Sequence, residues 1–162
     1  PFILIYIFVL PLFLRFFPLK KIYFGYKFSI SEIIYIWVSG TVTMLLVVNF
    51  LLKNTWGRTR PNDVSYFNGF QDFTPWYKIS DACSSNCSFV SGDSSVGFFL
   101  IVFYFITKKN AYLYLGLILG SLLGFIRIAA GGHFFSDIIF SQIIVTVTIL
   151  MSFVLYKKFY DK

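Results

Sequence analysis

Apolar residues occupy five long stretches of the chain, and polar residues gather between them. The stretches run roughly from Phe2 to Phe17, Ile30 to Leu52, Ser91 to Ile106, Ala111 to Ile126 and Asp137 to Tyr156. A helix of about 20 residues crosses a hydrocarbon core, so the pattern predicts an all-α integral membrane bundle with five crossing helices. The third and fourth stretches are short in purely apolar terms because their outer ends turn polar. Polar ends are tolerated where backbone and side chains face a protein cavity instead of lipid.

Composition sharpens this picture. With 57% hydrophobic, 22% aromatic and only 13% charged residues in 162, a soluble core of this size could not hide the apolar surface. Twenty-two Phe and eleven Tyr spread along the chain suit lipid-facing helices with rings at headgroup level. The net charge of +7 does not point to nucleic acid, because Lys and Arg sit in clumps between apolar runs. That arrangement is a topology signal.

Arg15, Lys20, Lys21 and Lys27 flank the first connection, Lys108 and Lys109 follow the third helix, and Lys157, Lys158 and Lys162 form the tail. Alternating helices put all three groups on one side, which is therefore cytoplasmic. Lys53, Arg58, Arg60, Lys78 and Arg127 fall on the other side, against the usual bias, and so ask for a function. The chain opens on Pro1 and runs straight into an apolar stretch with no small-residue cleavage site. The expectation is one transmembrane domain over residues 1–162, truncated at its N-terminus, with a sixth helix in the intact protein.

Gly116, Gly120 and Gly124 recur at four-residue spacing, lining one helix face where a neighbouring backbone can approach, or reflecting the general glycine enrichment of membrane helices. The longest polar stretch, Lys53 to Val90, is turn-rich and without period, which predicts an irregular loop or lid with at most a short helix. Cys83 and Cys87 either close a small disulfide loop on an oxidising face or remain two thiols. With His133 the chain's one His, they make no zinc signature.

Three outer stretches carry candidate chemistry. In Lys53-Asn54-Thr55-Trp56-Gly57-Arg58-Thr59-Arg60-Pro61 a helix ends in a cationic cluster; guanidinium forks match phosphate oxygens and Lys adds a point charge. The same residues also suit an interfacial cluster anchored by Trp56. Ser88-Phe89-Val90-Ser91-Gly92-Asp93-Ser94-Ser95 opens the third helix, where free N–H groups and a small Gly form an anion cradle, or where Ser91 is a plain cap. In Arg127-Ile128-Ala129-Ala130-Gly131-Gly132-His133-Phe134-Phe135-Ser136-Asp137, a charge beside an apolar run costs roughly 2.5 to 3.5 kcal/mol at mid-membrane, so Arg127 should face a polar cavity. If the fifth helix begins near His133, Asp137 lies one turn on and can hold one imidazole nitrogen, leaving the other as nucleophile or base.

These stretches resemble the three signatures of the type 2 phosphatidic acid phosphatase (PAP2) family, K-x6-R-P, P-S-G-H and S-R-x5-H-x3-D. Lys53, Arg60 and Pro61 match the first, and Arg127, His133 and Asp137 match the third with Ile126 in place of Ser. The resemblance covers about Lys53 to Asp137. It implies a six-helix membrane enzyme without metal or other cofactor, in which His133 attacks phosphorus and Asp137 orients it. Lys53, Arg60, Ser91, Gly92 and Arg127 would hold the phosphate oxygens. The second signature departs from the pattern: Val90 replaces Pro, and Asp93 stands where the family has the His that protonates the leaving oxygen. Cys87 to Asp93 resembles a Cys-Ser-Phe-Val-Ser-Gly-acid stretch carried by some bacterial members, so the change reads as a variant. Asp93 is the candidate general acid, and later the base toward water.

The implied partners are the bilayer and a phospholipid or glycolipid phosphate, with lipid A-type glycolipids and undecaprenyl diphosphate leading because a stable leaving anion needs less protonation. The implied place is a bacterial inner membrane, multi-pass, with the site on the periplasmic or outer face. A relative that binds lipid phosphate without cleaving it is the alternative. A channel with a cationic vestibule is a weaker rival, since apart from Glu32 the apolar runs carry little charge.

Overall fold

The computed structural model describes residue 26 and residues 28–160, and these are helical with irregular connections. The expected helix from Phe2 to Phe17, together with Arg15, Lys20, Lys21, Lys27 and Lys162, lies outside the described residues.

Helix α1 spans Ile30–Lys53, α-helical to Thr41 and π-wound over Val42–Lys53. Its start is fixed by a capping box: the Ser29 side chain accepts from the Glu32 N–H, and the Glu32 carboxylate accepts from the Ser29 N–H at 2.7 Å. Helix α2 covers Gly92–Thr107, with a break in its α winding at Leu100–Ile101. Lys108 then takes a left-handed conformation (φ 57°) that ends it. Helix α3 is Asn110–Ala129 and α4 is Phe135–Tyr160. Helices α1, α3 and α4, of 24, 20 and 26 residues, are long and apolar enough to cross a membrane, and α2 is shorter. The sequence pattern therefore places these four helices, with ends displaced by at most four residues, furthest at the close of α4. Helix α4 starts at Phe135, two residues beyond the start expected at His133.

The glycine stripe is a packing face. A Cβ on Gly120 would stand 2.3 Å from the Phe98 ring, one on Gly116 would stand 2.7 Å from Ile101, and one on Gly97 would stand 2.5 Å from the Gly120 Cα. Helices α2 and α3 thus meet nearly backbone to backbone, and the Ser94 hydroxyl donates across the contact to the Gly120 carbonyl at 2.6 Å. Phe98, Ile101 and Val102 of α2 join Tyr35, Ile138, Val145 and Ile149 in one buried core. Val48, Phe89 and Val90 form a second, nearer the loop end. Outward faces carry large apolar residues such as Phe50, Ile118, Phe125 and Met151, as lipid-facing helices do.

The helices alternate in direction. One end of the bundle collects Lys53, Gly92, Ala129 and Phe135; the other collects the start of α1, the α2–α3 turn and the end of α4. At that second end Ser31 and Tyr156 hydroxyls stand 3.2 Å apart, and the Lys108 ammonium sits 4.7 Å from the Phe153 ring centroid.

Candidate active site

The long connection from Lys53 to Val90 folds back over the loop end of the bundle in two steps. Gly57 has φ 63°, and a Cβ there would stand 1.6 Å from the Ser80 carbonyl oxygen, so glycine alone permits the close pass. Beside it the Ser80 N–H donates to Trp56 O at 3.0 Å, Cys83 N–H to Gly57 O at 3.1 Å and Ser88 N–H to Arg58 O at 2.9 Å. The returning strand is thereby clipped along residues 56–58. Cys83 and Cys87 are disulfide-bonded, which settles the alternative left open by their spacing. A second clip joins the first and third signatures: Asn62 N–H donates to Gly131 O at 3.1 Å, and the Asn62 amide donates to Ala130 O at 3.1 Å.

These clips bring the sequence-predicted residues to one end of the bundle. The Lys53 ammonium donates to Asn86 Oδ1 at 3.1 Å, while Arg60 Nη2 donates to the Asn86 carbonyl at 2.7 Å. A Cβ on Gly92 would stand 3.4 Å from Lys53 Nζ, so the ammonium lies against the start of α2. Lys53 interacts electrostatically with Arg60, Asp93, Arg127 and Asp137. Ser91 is buried and caps α2, its side chain accepting from the Ser94 N–H at 3.4 Å. Arg127, in the last turn of α3, places Nε 3.1 Å from Asp93 Oδ2, at ion-pair distance but without hydrogen-bond alignment. Its guanidinium packs on Gly132, where a Cβ would stand 2.8 Å from Nη2. Asp93 is exposed at the mouth of this cluster.

His133 and Asp137 are both buried, yet their relationship differs from the one expected. His133 Nδ1 lies 2.7 Å from the Ser88 carbonyl oxygen and 3.6 Å from Asp137 Oδ2. The nearest partner is therefore a main-chain carbonyl, because His133 precedes α4 and its ring reaches back toward the returning strand. Carbonyl oxygen only accepts, so Nδ1 carries the proton, and in the neutral ring Nε2 holds the lone pair.

Asp137 is held by other groups. Arg58 Nη1 donates to Oδ1 at 2.5 Å, the Ser88 hydroxyl to Oδ2 at 2.5 Å, and the Phe134 N–H to Oδ2 at 2.9 Å. Arg58 also donates to Ser136 Oγ at 2.8 Å and to the Thr74 carbonyl at 3.0 Å, and its guanidinium lies 4.4 Å from the Phe134 ring centroid. Burial pushes the Arg58 guanidinium below its ordinary value while the Asp137 charge pulls it back up.

Sequence reasoning placed Arg58 in the cationic phosphate cluster and Ser88 in the anion-cradle stretch, not against Asp137 and His133, and gave no role to Asn62 or Asn86. Their work is done through main-chain atoms or across long sequence separations. Among the described residues no cluster of His, Cys, Asp and Glu is arranged to hold a metal ion.

Residues 34–161 match the family model described as PAP2 superfamily. Over 121 residues the sequence is 42% identical to a lipid A 4'-phosphatase of Francisella tularensis subsp. novicida (strain U112), covering 72% of this chain and 53% of that protein. A lipid A 4'-phosphatase of Rhizobium leguminosarum is 34% identical over 98 residues, 59% of this chain and 42% of the relative. The chain spans about half the length of the curated relatives it matches. No solved structure matches.

Proposed function

The chain belongs to the PAP2 superfamily, and from that premise we propose that it is a membrane lipid phosphatase releasing phosphate from a lipid A-type glycolipid. The observation that carries the reading is the tether between His133 Nδ1 and the Ser88 carbonyl at 2.7 Å. With Nδ1 donating there, the Nε2 lone pair is left for chemistry on a ring that shares its bundle end with Lys53, Arg60, Arg127 and the start of α2, which supports the reading.

In the proposed reaction Nε2 attacks phosphorus, and the bond from phosphorus to the lipid oxygen breaks with its electron pair leaving on that oxygen. Asp93, at the mouth, supplies the proton. Water then attacks the phosphohistidine under Asp93 as base, the P–N bond breaks, and its electron pair returns to Nε2. Lys53, Arg60, Arg127 and the N–H groups behind Ser91 and Gly92 stabilise the charge that builds on the phosphoryl oxygens. Asp137, buried against Arg58 and Ser88, stabilises the imidazole as it becomes cationic. No step of this sequence calls for a metal.

The names of the relatives favour a glycolipid phosphate over the undecaprenyl diphosphate that leaving-group chemistry also suggested. The proposed setting is a multi-pass protein of a bacterial inner membrane with this site on the periplasmic or outer face. Lys108, Lys157 and Lys158 at the opposite end support that orientation. Residues 1–162 are read as part of one such domain.

The test is phosphate release from a lipid A preparation, phosphatidic acid and undecaprenyl diphosphate by the full-length protein and its His133→Ala variant. Release by the parent, lost in the variant, and an acid-labile phosphoenzyme are expected. Binding of the lipids without release would instead favour the non-catalytic alternative.

A further inference from the structure

The returning connection carries a set of aromatic residues that the proposed chemistry does not use. Residues 63–71 form a closed loop: Gln71 N–H donates to Asp63 O at 2.9 Å, Ser65 N–H to Gln71 O at 2.9 Å and Gly69 N–H to Val64 O at 3.0 Å. Asn68, at φ 68°, makes the turn. Val64 alone is fully buried beneath the loop, while Tyr66, Phe67 and Phe70 stand on its outside, Phe70 completely exposed. Tyr77 and Ile79 continue the exposed set. A loop facing water would turn its rings inward; an internally bonded loop that shows three rings outward is shaped for an apolar or interfacial surround.

Two contacts fix where that surround is. The Phe73 ring meets the Phe134 ring edge to face at 5.3 Å, at the threshold of α4. The Trp76 ring packs on Phe140 with centroids 4.4 Å apart. Phe140 lies five residues into α4, about 7.5 Å along its axis from the first residue. The connection therefore hangs over the flank of a helix long enough to cross the membrane, below the level of the helix ends, and does not stand clear of them.

We propose that residues 66–79 form an aromatic lip seated in the lipid headgroup layer beside the site, its rings at the depth where amphipathic aromatic side chains partition. The occupant of this surface is the bilayer itself. Such a lip holds the Lys53, Arg60 and Arg127 cluster at headgroup height, where a lipid-borne phosphate lies. The claim rests on the membrane setting of α4 and not on the phosphatase reading, so the two can fail separately.

The test uses nitroxide labels placed singly by Tyr66→Cys, Phe67→Cys and Phe70→Cys in the non-reduced full-length protein, reconstituted in phosphatidylcholine and phosphatidylglycerol vesicles. None of these side chains packs in the core, so folding is preserved, and three sites guard against one failed label. Collision with a water-soluble nickel chelate should fall several-fold relative to the same label free in buffer, with collision with oxygen retained. Nickel collision equal to the free label overturns the proposal. So does shielding from both reagents, which would mean that protein, a second copy or another segment of this chain, covers the loop.

Discussion

The main-chain carbonyl of Ser88 stands 2.7 Å from Nδ1 of His133, and the hydroxyl of the same serine stands 2.5 Å from Asp137 Oδ2. One residue thus serves both members of the buried pair by different atoms. Ser88→Ala removes the hydroxyl and leaves the carbonyl, so the imidazole tether survives. Losing one hydrogen bond to a buried carboxylate costs about 1.5–3 kcal/mol, and the expected result is a kcat reduced by roughly 10- to 100-fold with KM little changed. His133→Ala should abolish turnover; equal residual activity in the two variants would mean that the Ser88 hydroxyl is as necessary as the imidazole, against its role as a support of Asp137.

Arg58 and Asp137 are a fully buried ion pair, and such pairs are costly to break from one side. Arg58→Met leaves an uncompensated carboxylate and should destabilise by about 3–5 kcal/mol, visible as a lowered unfolding midpoint in detergent. Adding Asp137→Asn should restore much of that loss without restoring phosphate release. If the double variant is as unstable as the sum of the singles, the pair is not coupled as its geometry indicates.

How much of this was legible beforehand differs by residue. Lys53, Arg60, Arg127, His133 and Asp137 stand out because their spacing repeats a known signature, and the glycine stripe of α3 because helical periodicity exposes it. Asn86 does not stand out, since it works through a left-handed main chain (φ 49°) and a carbonyl offered to Arg60. Ser88 stands in the candidate anion cradle, but nothing in the sequence shows that its carbonyl meets His133 and its hydroxyl Asp137. Asp137 does stand within ion-pair distance of His133 Nδ1, at 3.6 Å, but the nearer Ser88 carbonyl is not legible, because i,i+4 spacing presumes a helix and the helix begins only at Phe135. Spacing reports which residues share a helix face and says nothing of a strand returning from 45 residues away.

The disulfide encloses Asn86, which links Lys53 to Arg60. By the chain-entropy relation, closing so short a loop contributes roughly 2 kcal/mol. Cys83→Ser with Cys87→Ser should loosen Asn86 and with it the two cations, raising KM for a lipid phosphate by roughly fivefold if about half of that constraint is felt at the site. Reduction of the parent protein should reproduce the shift. An unchanged KM in both would mean that the loop holds its shape without the bond.

Gly131 takes φ 66°, and a Cβ there would stand 1.8 Å from Asn62 Oδ1. Gly131→Ala therefore combines left-handed strain of about 1–3 kcal/mol with a clash against the clip joining the first and third signatures. Asn62→Ala breaks only the clip's side-chain bond and leaves Gly131 unstrained, and should be the milder change. Both are expected to lower phosphate release and thermal stability together, Gly131→Ala more. The reverse order would show that the Asn62 contact, rather than the glycine conformation, sets the loop.

Asp93 stands exposed beside Arg127 where the family signature carries a His. A general acid matters in proportion to the basicity of the leaving oxygen, whereas a residue that only positions Arg127 matters equally for every ester. Two substrates separate the cases: a sugar alkoxide leaving group, which needs a proton, and a nitrophenolate, which does not. In the first turnover Asp93→Asn should cut release of the sugar alcohol by about 10²–10⁴-fold and leave the burst of nitrophenolate nearly untouched, while later turnovers slow for both esters because water attack also uses Asp93. Asp93→His, restoring the family residue, should keep measurable activity toward both. Wild-type turnover of the sugar ester by the Asn variant would exclude proton donation from this carboxyl, and an equal loss in the first-turnover bursts of both esters would assign Asp93 to holding Arg127 instead.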